Sequence, residues 1–269
     1  MSKVDDVSYL SHVQYADLTN LNSRWKLYDS VLPKVNIHGE GISSLDLSGI
    51  EDILEVGCGA AENLTGLRQR GHKGKLIGCD INPVLFEKAA KDPSLQFYTN
   101  SADALPFEAN SFDAILAYFM LYHLPDVSKT LEEWNRVLKP DGRIVVSTFS
   151  SNNLPKHKRF KQQIANYLQC TPSPQFSSKF NFENAESVLT EHFTIHQTKL
   201  YLGRVVLSNP EPYLEFLDTI NDFFDPAPPE EQWKIAKALV KSELEKEIEL
   251  TGTYVDQVKR GLFICTKRQ

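Results

Sequence analysis

The sequence predicts an α/β protein built on a doubly wound, mostly parallel sheet, and three observations carry that expectation. Short apolar runs alternate with helical patterns from about residue 50 to residue 150, an alternation that builds parallel strands joined by crossover helices. The first run, Asp52-Ile-Leu-Glu-Val-Gly-Cys-Gly-Ala-Ala-Glu62, reads as a buried strand that turns through glycines straight into a helix. The second, Lys75-Leu-Ile-Gly-Cys-Asp80, ends on an acid 21 residues beyond Gly59. That is the spacing at which a carboxylate accepts from the ribose hydroxyls of a nucleoside bound at the turn.

Taken in order, residues 5 to 32 place Leu18, Leu21, Trp25, Tyr28 and Leu32 at helical spacing, predicting one or two helices. They either cover a ligand cleft or staple to the sheet edge. Strands are expected at about 52–56, 75–79, 95–99, 113–118 and 143–148, with helices at about 61–70, 83–91 and 127–138. Asn82-Pro83 starts the second of these helices, Asn as cap and Pro at the first position. Asn135-Arg-Val-Leu-Lys-Pro-Asp-Gly142 ends the third in a Pro-initiated turn. Ser101-Ala-Asp-Ala-Leu-Pro-Phe107 reads as a third ligand-facing loop, and Ser111 to Leu124 as a fourth strand with its following turn.

The glycine turn narrows the ligand. Gly57 and Gly59 open backbone conformations closed to other residues and let a ligand approach the main chain. A dinucleotide fingerprint would need a third glycine at 62, where Glu62 stands. Glu55 and Glu62 bracket the turn, so a phosphate there would meet like charge. A nucleoside without phosphates is expected, although a lone G-x-G also occurs in tight strand-to-helix turns that bind nothing.

Together these segments resemble the class I S-adenosylmethionine-dependent methyltransferases, in the small-molecule (type 11-like) branch. The resemblance spans about residues 50 to 150 and is faint outside them. It implies a seven-stranded sheet in the order 3-2-1-4-5-7-6 with an antiparallel seventh strand, for which Gly261-Leu-Phe-Ile-Cys-Thr266 is the candidate, and Phe193 to Leu200 the sixth. N-terminal lid helices (residues 1–40), a cofactor core (50–150) and cap segments (151–190 and 205–250) complete one methyltransferase domain over 1–269. Two departures stand out: Ala61 replaces a glycine that often follows in the first motif, and Asp141 replaces the usual glycine of the K-P-G-G turn.

Carried onto this sequence, the resemblance implies S-adenosyl-L-methionine as cofactor and S-adenosyl-L-homocysteine as product. Glu55, Gly57, Cys58 and Gly59 would hold the methionine part, Asp80 the ribose, and Ile81 the adenine face. Ala102, Asp103 and Ala104 would form the adenine loop, Asp103 accepting from the amino group and Ala104 offering an amide. Ala117 and Tyr118 would close the end of strand four near the sulfonium. Tyr15 and Asn20-Leu-Asn-Ser-Arg24 resemble the lid of related enzymes, whose Arg reaches the cofactor carboxylate.

A sulfonium carries its own activated methyl group, so the chain need only align the nucleophile, exclude water and remove a proton. His123, after strand four with an unperturbed pKa near neutrality, is the candidate base; the alternative is that the H-L pair orients the loop. Tyr118 and Tyr122 would position an acceptor or wall the sulfonium, and Tyr122 equally suits the core. The other histidines, His12, His38, His72, His157, His192 and His196, show no metal-ligand spacing and read as surface or packing residues. A lid helix would bring His12 near the cleft.

About sixty residues separate the last two strands, more than a tight hairpin needs. They include Pro210-Glu-Pro-Tyr and a helix near Glu230 to Ile248, and read as a substrate cap. With the segment after strand five they gather Phe176, Phe180, Phe182, Tyr201, Tyr213, Phe216, Phe223 and Phe224, most expected in the cap's own core and two or three in a pocket for a small, partly apolar substrate. Asp222 to Glu231 reads as a loop with solvated acids.

Composition points the same way. Apolar content is 41% with no run near the roughly 18 residues that cross a membrane. Met1-Ser-Lys-Val-Asp-Asp lacks a leader's apolar core, and the four cysteines show no paired spacing, so the cytoplasm is expected. Net charge is −6, and the basic clusters are small, Lys156-His-Lys-Arg-Phe-Lys161 and Lys267-Arg268; the first reads as the solvated side of a helix, which argues against nucleic acid. The leading expectation is methyl transfer to O, N or C of a small metabolite by a monomer or homodimer, with no membrane partner. The alternatives are an RNA or protein methyltransferase and a nucleotide-binding oxidoreductase.

Overall fold

A computed structural model of the chain describes residues 7–173 and 176–268; the Met1–Asp6 start lies outside the described residues, as does the Phe176 side chain. The described parts of Asn36–Ser151, Phe176–Leu200 and Arg260–Gln269 form a larger compact unit. Those of Met1–Val35, Asn152–Gln175 and Tyr201–Lys259 form a smaller one.

The predicted sheet runs through β1 (Ile53–Val56), β2 (Leu76–Asp80), β3 (Gln96–Thr99), β4 (Phe112–Tyr118), β5 (Leu138–Phe149), β6 (Phe193–Leu207) and β7 (Tyr254–Lys267). Their order is 3-2-1-4-5-7-6, as expected. β1 lies parallel to β2 and β4, β2 to β3, and β4 to β5, whereas β7 pairs antiparallel with β5 from Arg260↔Phe149 to Thr266↔Arg143. The strand count needs one correction. β6 continues to Leu207, and its extension pairs antiparallel with an eighth, two-residue strand, Val31–Leu32, whose Val31 is buried.

β1 and β2 are buried along their whole length, as continuous apolar runs between helix layers must be. Their side chains join Ile115, Leu131, Trp134, Ile144, Val146, Phe180, Leu189 and Phe263 in one apolar core. The helix Val127–Val137 reaches that core with Trp134 and is started by Asp126, whose side chain accepts from the Lys129 N–H at 3.0 Å. The expected turn before β5 is instead an excursion within the strand. Leu138 pairs with Phe112 and Arg143 with Ala114, so residues 139–142 bulge from the ladder. The expected helix 83–91 divides into Pro83–Phe86, capped by Asn82, and a 3-10 turn at Ala89–Lys91.

In the smaller unit the helices are Val7–Tyr9, which continues as a π-turn to Gln14, then Thr19–Tyr28, Pro155–Leu168, Glu211–Asp218 and Glu230–Thr251. The basic cluster is a solvated face only in part, with Arg159 exposed. Phe160 and Ile164 are buried, the His157 ring approaches the Tyr213 hydroxyl at 2.9 Å, and Lys161 donates to the Ser173 carbonyl at 2.6 Å. Positions 157, 160, 161 and 164 share one side of the helix, and that side faces inward. Among the clustered aromatics, Tyr213, Phe216, Phe223 and Phe224 are buried in this unit, while Phe180 belongs to the sheet core and Phe182 packs near Phe263. Asp222 is not simply solvated, since it accepts from the Tyr9 hydroxyl at 3.4 Å. Among the described residues no helix is long and apolar enough to cross a membrane.

Candidate functional site

At the carboxyl end of β1 the chain turns in left-handed backbone at Gly57 (φ +68°), Gly59 (φ +49°) and Ala61 (φ +55°). The turn is tied to β2. The N–H groups of Gly57 and Cys58 donate to the Cys79 carbonyl at 2.8 and 3.1 Å, and Gly59 N–H donates to the Asp80 carboxylate at 2.9 Å. The second Asp80 oxygen accepts from Asn82 N–H at 3.1 Å. Burial pushes the Asp80 carboxyl above its usual range against the pull of these bonds. Cys58 is buried here, and the same desolvation, with Asp80 and Glu55 adding negative charge, pushes its thiol far up.

Glu55 ends β1 with only 3% of its surface exposed. Its Oε1 accepts from the Asn63 side-chain amide at 2.6 Å, and its Oε2 is buried with no hydrogen-bond partner. Desolvation raises its carboxyl to about 8, opposed by the Asn63 bond and assisted by the charges of Asp80 and Glu62. Asn63 comes from the first turn of the helix Glu62–Gln69, and its Oδ1 lies 3.1 Å from the His38 Nδ1. His38 is in turn held by Tyr118. The rings stack at 4.2 Å and 12°, and the Tyr118 hydroxyl donates to the His38 carbonyl at 2.9 Å.

Neither Asn63 nor His38 was legible as a site residue. His38 read as a packing residue, and nothing in its neighbourhood marks it: its partner lies 25 residues away and they meet only in the fold. Asn63 carried a weak signal, a polar side chain one turn after the glycines. The helix that carries His38, Ile37–Ser43, is started by Asn36, whose side chain accepts from Gly39 N–H at 2.9 Å. Gly41 lets it approach the sheet, because a Cβ there would stand 2.5 Å from the Tyr118 hydroxyl and 2.6 Å from Val145.

Past β4, Ala117 and Tyr118 are buried, and a 3-10 turn at Leu121–His123 brings the His123 ring against Tyr122, centroids 4.6 Å apart. The His123 N–H closes that turn onto the Met120 carbonyl at 3.0 Å. Tyr122 is buried in the sheet core, the packing alternative of the two the sequence allowed. On the β3 side, Ile81 is half-buried and Asp103 pairs with Lys129 at 2.8 Å and with the Ser101 hydroxyl. Those partners hold the Asp103 carboxyl below its usual range, Lys129 foremost. The Ala102 carbonyl accepts from Trp134 Nε1 at 3.1 Å, and Ala104 N–H donates to the Ser101 carbonyl at 3.2 Å, so the loop's geometry is fixed by its own bonds. In the smaller unit Tyr15 and Arg24 do come together, Arg24 Nη1 donating to the Tyr15 hydroxyl at 2.7 Å and Nε to Thr219 Oγ1 at 3.3 Å.

Residues 54–146 match the family model described as a methyltransferase domain. Over these residues the chain carries a methyltransferase domain. Among curated proteins, the demethylmenaquinone methyltransferase of Staphylococcus saprophyticus is 39% identical over 111 residues, covering 39% of this chain and 48% of that protein. The one from Lactococcus lactis is 36% identical over 121 residues, 42% of this chain and 48% of that protein. The chain thus spans about half the length of the curated relatives it matches. Solved structures extend the fold similarity beyond the methyltransferase domain. YcgJ from Bacillus subtilis superposes with a TM-score of 0.56 at 18% identity over 86% of this chain and 98% of that one. The [4+2]-cyclase SpnF does so with 0.52 at 18% identity, over 86% and 80%.

Proposed function

We propose that this protein uses S-adenosylmethionine to methylate a small molecule by in-line displacement. The observation that carries the reading is the buried Glu55 oxygen with no partner, set beside the left-handed Gly57–Gly59 turn and the Asp80 carboxylate. These residues fit the cofactor. A carboxylate oxygen out of water seeks a cationic donor, and a second carboxylate one strand away suits a pair of hydroxyls. A Cβ at Gly57 would come within 3.0 Å of Met120, so the turn excludes larger residues. Glu55 and Glu62 at this turn disfavour the pyrophosphate of a nicotinamide dinucleotide, which counts against the oxidoreductase reading.

When bound, the cofactor supplies a methyl group already activated on sulfur. The chain's own tasks are then to hold and to orient. Asp80 would exchange its Asn82 and Gly59 donors in part for ribose hydroxyls, Ile81 would cover one adenine face, and Asp103 would accept from the adenine amino group. Ala102, Ala104 and Ala117 would present main chain and small surfaces at the loop and strand end. Tyr118, its hydroxyl committed to His38, would act as an aromatic wall. His123 is proposed as the group that takes a proton from the acceptor. Tyr15 with Arg24 is proposed for the cofactor carboxylate, as one already assembled donor set.

A small-molecule acceptor is supported by the curated relatives, whose printed names specify demethylmenaquinone. About half their length is not matched, so demethylmenaquinone itself is not carried over to this chain. The cyclase among the fold neighbours shows that this architecture does not by itself decide the chemistry. Calorimetric titration with S-adenosylmethionine, S-adenosylhomocysteine and NAD tests the reading: binding of the two sulfur nucleosides without NAD is expected, and binding of NAD alone would defeat it. Transfer of labelled methyl to small-molecule pools, with tRNA and protein as comparators, then fixes the acceptor class. His123→Ala should slow that transfer about 100-fold with cofactor affinity retained; unchanged turnover would assign the residue to loop structure.

A further inference from the structure

Glu55 does not set its own orientation. Among the described residues its one hydrogen-bond partner is Asn63, whose amide has two distinguishable ends, one facing Glu55 and the other His38. The Asn63 Nδ2 faces Glu55 Oε1 at 2.6 Å while its Oδ1 faces the His38 Nδ1 at 3.1 Å. Once a bound cation holds Glu55 ionised, a flipped amide would place oxygen against carboxylate and lose that bond. For the pair to hold, His38 must carry its proton on Nδ1 and donate it. His38 is kept in place from three directions: its carbonyl accepts from Tyr118, its ring stacks on Tyr118, and its helix is capped by Asn36.

We propose that His38 and Asn63 are positioning residues for the ligand's ammonium group, His38 fixing Asn63 and Asn63 turning the Glu55 carboxyl so that its free oxygen meets the cation. The inference rests on the cofactor reading above and deepens it by naming what sets the methionine end. The chemistry of the site selects a cation. Glu55 Oε2 is buried without a partner, and the charges that act on its carboxyl, Asp80 and Glu62, are both negative. An anion would add repulsion, and a neutral hydroxyl would satisfy the oxygen but not the field. An ammonium does both, since it donates and carries the compensating charge. Burial that holds the His38 imidazole below its usual range keeps that ring neutral, as a single-proton donor to Asn63 requires.

The test separates the amino-acid end of the ligand from its nucleoside. S-adenosylhomocysteine and 5′-methylthioadenosine share the nucleoside and the thioether, and only the first has the ammonium together with its carboxylate, a group that Glu55 repels and does not bind. Both are titrated calorimetrically against the full chain, His38→Phe and Asn63→Leu. The phenyl ring keeps the stack on Tyr118 and loses the N–H; the leucine keeps the volume and loses the amide. Each variant should bind S-adenosylhomocysteine about tenfold more weakly, as loss of one oriented hydrogen bond predicts, with methylthioadenosine affinity unchanged. The double variant should be little worse than either single one, because both act on one oxygen. Equal weakening of the two ligands, or of neither, in a variant that melts like the unmodified chain would overturn the inference. Failure of the unmodified chain to bind either nucleoside would instead overturn the cofactor reading on which it stands.

Discussion

Asp256 in the smaller unit and Glu55 in the larger are both carboxylates withdrawn from water, at 2% and 3% exposure, and their surroundings differ in completeness. Asp256 accepts from the main-chain N–H groups of Lys156 (3.1 Å), His157 (3.0 Å) and Gln257 (2.8 Å), with the Tyr254 hydroxyl at 3.4 Å. Glu55 has one donor and one bare oxygen. A saturated buried carboxylate ties segments of chain together, and its value is structural. One left half-satisfied costs stability in the free protein, a cost that persists where a ligand offsets it.

The contrast is sharpest in pH, where the two units should move in opposite directions. Between about 4.5 and about 8 the folded chain keeps a proton on Glu55 that the unfolded chain has released, so stability should fall as pH rises through that window. The gap caps the effect at about 5 kcal/mol. Glu55→Gln should flatten that slope in thermal melts, and an unaltered slope would show that Glu55 is not the group responsible. His157 behaves inversely. Desolvation, with Lys161, Arg24 and Lys158 adding positive charge, lowers it to about 3, so the unfolded chain binds a proton near pH 6.5 that the folded one refuses. Stability should therefore fall as pH drops from about 6.5 toward 3, by about 2 kcal/mol, discounted because His157 is only half-buried. His157→Phe should abolish that limb.

Asp256→Ala should lower stability by about 3 kcal/mol in denaturant unfolding by stripping three main-chain donors of their acceptor. A loss under 1 kcal/mol would erase the distinction between the two carboxylates. Asp80→Ala should reduce S-adenosylhomocysteine affinity by about 2 kcal/mol, the value of two charge-assisted bonds. Equal affinity would mean the nucleoside sits elsewhere. The smallest effect belongs to Ala61. Relief of left-handed strain at φ +55°, about 1–2 kcal/mol, is partly cancelled by the entropy that glycine adds to the unfolded chain. Ala61→Gly should thus raise stability by no more than about 1 kcal/mol, and a destabilisation would show that the methyl group's packing outweighs the strain.

The parts of the site set by short-range pattern were legible in the sequence. The left-handed glycines and the acid after β2 follow from pattern and spacing, the strand order came only with the family resemblance, and the Gly59–Asp80 interval reappears as a 2.9 Å hydrogen bond. Val31–Leu32 was missed because two residues carry no period. The inward side of Pro155–Leu168 was missed because a lysine and a histidine occupy it, their stem and ring partly covered although their charges suggest water. His38 read as a surface or packing residue, and it does pack on Tyr118; the role proposed for it was not legible, because its contacts with Asn63 and Tyr118 span 25 and 80 residues.

The cysteine in the middle of the glycine turn has a chemical consequence. Electrophiles and peroxides attack thiolate and scarcely react with thiol. Cys58 sits beside two carboxylates and out of water, so its proton is held far more tightly than in solution, and Cys79 on the neighbouring strand is pushed up to about 12 by the same burial. The loop proposed to seat an alkylating sulfonium thus holds its cysteine in the form least open to alkylation, chiefly through burial, with Asp80 and Glu55 adding to it.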